Sequence, residues 1–164
     1  MDKEVKKWIK KLKDIKDHEF DLSRDEDLSI ALMNLISLEE HFYFTSMKTN
    51  KQSYLDMMNS VRELRKKLLG KIVKNPKGEE WCISKHLLAS SMRLIEVGTK
   101  ELSRKNTKEA NLFFSSAFDL YSFFFAINSE IIESNELLNA KEGNSKLFSR
   151  FSLLVKKIVD CCKE

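Results

Sequence analysis

The chain has 164 residues, 42% of them hydrophobic and 33% charged, with a formal net charge of +4. That is the size of one domain, long enough to bury most of the surface its unfolded form exposes, in an ordinary globular composition richer in charge than average. Three cysteines, Cys82, Cys161 and Cys162, exclude a disulfide framework, since two are adjacent and one is remote. The N-terminal lysines precede no apolar run, and no segment suggests a membrane span, so a cytoplasmic protein is expected.

One proline and four glycines leave little to interrupt helix. Val5, Trp8, Ile9, Leu12 and Ile15 recur at helical spacing opposite Lys6, Lys7, Lys10 and Lys13, which predicts a short basic helix. With the acidic stretch that follows, residues 1–22 form an element at the edge of a single domain spanning 1–164. Ser23 and Glu26 read as a capping box. The helix after them should face inward with Leu28, Ala31, Leu32, Leu35, Leu38 and Phe42. A further helix is expected from about Lys51 to Val73, with Tyr54, Met57, Val61, Leu64 and Leu68 as its stripe.

Asn75-Pro76-Lys77-Gly78 is a turn, because proline disfavours helix for the residue before it. Glu79 and Glu80 suit the positive end of the next helix's macrodipole. That helix runs to about Ser103, with Leu87, Leu88, Leu94, Ile95 and Leu102 inward. Ser84, Ser91 and Gly98, seven apart, would let a neighbouring helix approach closely. Thr107 is the expected cap of the next helix, which continues to Ile132 or beyond. After Gly143, a last helix carries Leu147, Phe148, Phe151, Leu154, Val155 and Ile158.

The helix starting at Thr107 holds seven aromatic residues within thirteen positions, Phe113, Phe114, Phe118, Tyr121, Phe123, Phe124 and Phe125. So much aromatic surface does not stay in water. Phe113, Ala117, Leu120, Phe124 and Ile131 share one side of a 3.6-residue wheel and are expected to be core. Phe114, Phe118 and Phe125 form a second row, with Phe123 toward the opposite edge, and these four are a candidate partner or core face. No segment alternates with period two. The fold class is all-α, an antiparallel bundle of about six helices, four of them long, with no sheet.

From about Ser91 to Phe124 the chain resembles one tetratricopeptide unit. Leu94, Val97 and Gly98 stand at the first-helix positions of that pattern, and Ala110, Phe114 and Ala117 at the second. Glu101 stands where the pattern has an aromatic, and Ser122 where it has proline. The resemblance implies a close-packed helical hairpin. No second copy lies one period away, whereas repeat arrays need about three units to bury a core.

Candidate chemistry is sparse. Glu39 falls amid the apolar face of its helix, Arg65 at the edge of the next stripe, and Asn128 among Phe124, Ile127 and Ile131. A buried charge needs a partner, so a Glu39–Arg65 pair is the economical reading. His18, His41 and His86 lack the Glu-x-x-His setting of a di-iron bundle, and Cys82 and His86 share an outer face with Arg93. No phosphate loop or nucleophile motif occurs. Neither catalysis nor a cofactor or metal is expected. Arg62, Lys66, Lys67, Lys71, Lys74 and Lys77 form a basic stripe that could contact phosphates, but no aromatic interleaves it. The reading is a non-catalytic interaction module, an adaptor or accessory subunit with a protein partner, self-associating through the aromatic helix as a homodimer. The alternatives are nucleic-acid binding on the stripe and an apolar small molecule among the phenylalanines.

Overall fold

The computed structural model describes residues 22–76 and 78–128. Four helices follow one another there: α1 (Leu22–Thr49), α2 (Gln52–Leu69), α3 (Glu80–Ser103) and α4 (Thr107–Asn128). The described residues contain no strand. The expected basic N-terminal helix, the last helix after Gly143, His18, Lys77, Ile131, Cys161 and Cys162 lie outside the described residues.

Helices α1 and α2 are an antiparallel hairpin. Asn50 turns the chain between them with a φ of 52°, and Ser46 Oγ donates to Lys51 O at 3.3 Å. One turn back, the Phe42 and Tyr54 rings lie 6.4 Å apart. Helix α2 stops at Leu69, a turn short of the expected Val73, and has only 18 residues. Gly70 caps it, its N–H donating to Lys66 O. The chain then tightens through Lys71 N–H to Leu68 O and Ile72 N–H to Leu69 O. That turn tucks Ile72 and Val73 into the core.

Helices α3 and α4 form a second antiparallel hairpin built on small residues. Ser84 and Ser91 are fully buried and Gly98 is buried. The Phe114 ring covers Gly98 so closely that a Cβ there would meet it at 2.6 Å. Ser91 Oγ donates to Ala117 O at 2.8 Å, so the hydroxyl that permits close approach also satisfies itself. Asn106 O accepts from Ala110 N–H at 3.0 Å. Asn106 is therefore the cap position, and Thr107 is already in the helix.

The hairpins share a core of Leu32, Met33 and Ile36 from α1, Leu69 from α2, Leu87 and Leu88 from α3, and Phe124 and Phe125 from α4. Several residues expected inward stand out instead: Ala31 and Leu38, Met57 and Leu64, Ile95 and Leu102. The cause on α1 is geometric. One row, carrying Glu39, Phe42 and Ser46, faces α2, and a second, with Ser29, Leu32, Met33 and Ile36, is buried toward the side of α3 and α4. Ala31 and Leu38 lie behind both.

By length and composition alone α4 could cross a membrane, contrary to the sequence reading. Within it, Ala110, Ala117, Phe124, Phe125 and Ala126 are buried against the rest of the chain; about a third of the apolar window is buried, while Leu112 is exposed.

Candidate functional site

The candidate polar residues divide between two places. Arg65 is 3% exposed and reaches across the α1–α2 seam to Glu39. Its Nε donates to Oε1 at 2.8 Å and its Nη2 to Oε2 at 3.1 Å. That two-pronged geometry is what guanidinium and carboxylate planes favour. Arg62 Nε lies 3.8 Å from the same carboxylate. Asn128 is elsewhere: its Nδ2 donates to Ser84 Oγ and Phe124 O, both at 2.8 Å. It locks the far end of the α3–α4 hairpin and takes no part in the ion pair.

The basic stripe is partly neutralised. Arg62 leans to Glu39, and Lys66 Nζ bonds Glu63 at 3.0 Å. Lys67, Lys71 and Lys74 are exposed beside the C-terminal end of α2, whose carbonyl dipoles favour cations. Among the described residues no three His, Cys, Asp or Glu side chains converge as a metal site would require. Cys82 and His86 both face solvent.

The candidate aromatic face is mostly internal. Phe125 is buried in the core, where its ring meets those of Tyr121 and Phe124 edge-on, with centroids 5.1 and 5.2 Å apart. Phe118 and Phe123 pack against that core half-buried, and Phe114 covers Gly98. Phe113 and Leu120, expected in the core, are also half-buried. Tyr121 sits behind them. Ser29 Oγ donates to Glu26 O at 2.6 Å, leaving its lone pairs to accept the Tyr121 hydroxyl at 2.7 Å. Burial pushes the Tyr121 pKa up to about 12.

Exposed apolar side chains lie beside a groove on α1. Tyr43, Phe44 and Met47 are 46%, 58% and 52% exposed. They follow Leu32, Met33 and Ile36 by seven or eleven residues, which returns a helix to nearly the same face. Among the described residues, the row that α3 and α4 bury in the first half of α1 is thus bare in the second. Tyr43 and Phe44 meet edge-on, with centroids 5.2 Å apart. Together with Ser37, Glu40, His41, Lys48 and Arg93 they line an open groove between α1 and α3.

Arg93 crosses that groove. Its Nε donates to Glu40 Oε2 at 2.8 Å, and its Nη2 bonds the same oxygen. Both side chains are well exposed. Sequence reasoning placed Arg93 on an outer face and passed over Tyr43, Phe44 and Met47. The signal available was their phase with the core row of the same helix.

No known protein family matches the chain, and no curated protein or solved structure shows significant similarity to it.

Proposed function

We propose that this chain is a non-catalytic helical interaction module, an adaptor or accessory subunit, and that a protein partner docks on the groove of α1. The supporting observation is the bare continuation of the core row, Tyr43, Phe44 and Met47, beside Arg93. Large apolar side chains gathered around a concave surface, rimmed by charge, are what protein interfaces use, with aromatic residues, Met and Arg enriched. Self-association through Phe114, Phe118 and Phe125 has less support, because Phe125 is core and Phe114 is committed to Gly98.

Nucleic-acid binding on the stripe is the weaker reading. Lys67, Lys71 and Lys74 follow Arg65, which pairs with Glu39 at mid-helix, whereas Tyr43 and Phe44 lie a turn or more beyond Glu39 toward the other end of the hairpin. The cations of this stripe are therefore apart from those rings, and single-strand binding on the stripe needs stacking surfaces beside its cations.

The test is a photo-reactive benzoylphenylalanine at position 44, irradiated in the native source. Expected is one recurrent crosslinked protein, lost when Met47 is changed to Asp. Its absence, with efficient crosslinking from a control position at Leu112, would remove the groove as a docking face.

A further inference from the structure

We infer that the groove takes an amphipathic helix of a partner chain with carboxylates on its flanks. The inference rests on the proposed docking role of the groove and adds the chemistry of the occupant. An open trough beside a helix, with aromatic anchors, suits a helical segment that lays its apolar face against them. Tyr43 and Phe44 provide those anchors in the groove, and Met47, a turn further along α1, is exposed outside its lining.

The charges decide the sign. Two cations line the groove, Lys48 and Arg93, against one carboxylate, Glu40. Lys48 forms no ion pair among the described residues. Arg93 is engaged, but with Glu40 in an exposed pair. Exposed pairs contribute little, so Arg93 can share or exchange its carboxylate at small cost. Glu40 and Lys48 are two turns apart on α1, about 12 Å. A bound helix would meet Arg93 and Lys48 with acidic residues seven or eight positions apart and its apolar stripe between them. Nucleic acid fits less well, because the Glu40 carboxylate lies in the lining and would repel phosphates.

Fluorescence anisotropy of the full chain tests this with three labelled probes. One is a synthetic 14-residue helical peptide with Leu and Ile at i, i+3, i+4 and i+7 and Glu on both flanks. The second is the same peptide with Lys for every Glu, and the third is oligo-dT of 15 nucleotides. The acidic peptide should bind about tenfold tighter than the basic one, and the preference should reverse in the Lys48→Glu, Arg93→Glu double variant. Phe44→Asp should abolish binding of both peptides, with circular dichroism confirming an intact helical fold.

Equal binding of both peptides, still lost in Phe44→Asp, overturns the acidic flank and leaves the groove as a docking face. Preference for oligo-dT, or for the basic peptide, overturns the inference outright. So does absence of peptide binding when the Phe44 crosslink forms to a second copy of this chain. Sedimentation of the unlabelled chain identifies that case by a dimer that Phe44→Asp dissociates.

Discussion

The two halves of α1 carry the same pattern and meet different fates. In the first half Ser29, Leu32, Met33 and Ile36 lie under α3 and α4, and even the serine is fully buried and hydrogen-bonded. In the second half Tyr43, Phe44 and Met47 continue the row into solvent. The residues on the uncovered stretch are larger and more aromatic than those on the covered one. A helical row that is apolar throughout is core only as far as a neighbour extends over it. Past that point the same chemistry is an interface, and aromatic and methionine side chains suit one.

Removing one phenylalanine from each region should separate the two fates most widely. Phe124 is fully buried, so Phe124→Ala should cost about 3–5 kcal/mol in urea unfolding. Phe44→Ala should fall within about 0.5 kcal/mol of wild type, as exposed substitutions do. A large loss at Phe44 would mean that the second half is covered after all, and the groove would cease to be a docking face.

Glu39 and Arg65 mark the seam between α1 and α2 near the point where the covered row ends. Replacing Arg65 by Met strands a carboxylate with Arg62 as its one remaining cation among the described residues, and should cost about 3 kcal/mol. Glu39→Leu alone leaves a nearly buried guanidinium without its acceptor and should be comparably harmful. The double variant should lose less than the sum, by about 1–3 kcal/mol in a double-mutant cycle. Additive losses would show that the two groups act independently.

That pair was legible in the sequence because a charge on an apolar helix face demands a partner, and the hairpin's short turn limits where one can be found. The Ser84–Ser91–Gly98 row was legible for a similar reason: small residues at heptad spacing have no other packing use. The rows of α1 were not fully legible. Two neighbours press on it from different directions, and the overlapping rows make a stripe too wide for one phase. Ala31 and Leu38 were assigned inward on that account, while Met33 and Ile36 were missed. Phe44 was invisible for a deeper reason, since nothing local in a helix states how far its neighbours stay packed against it. The aromatic wealth of α4 drew the partner face to Phe125, which the fold had already spent on its core.

The covered region depends on how closely α3 and α4 approach, and Gly98 sets that distance. A Cβ would stand 2.6 and 2.8 Å from Phe114 ring carbons, below van der Waals contact. The ring must therefore move or the helices must part. Gly98→Ala should destabilise by about 1–3 kcal/mol despite alanine's better helix propensity. If the variant is instead more stable, the ring has swung away freely, and Phe114 is a mobile surface residue available to a partner.

The smallest expected effect concerns the bond that ties the covered half of α1 to α4. Tyr121→Phe removes the hydroxyl at Ser29 but leaves Ser29 its own bond to Glu26 O. The loss should therefore be about 1 kcal/mol at neutral pH. Alkaline pH sharpens the result. The folded-state pKa of Tyr121 is raised to about 12, above the unfolded value near 10. The folded chain thus holds this proton more tightly than the unfolded chain. Stability from this group is fully present below pH 10 and is lost as pH rises from there through 12. Wild type should lose stability faster than Tyr121→Phe over that window, in urea unfolding at matched pH. Parallel curves would mean that Tyr121 titrates alike in both states, so that α4 does not seal this half of α1 and the contrast between the halves is lost.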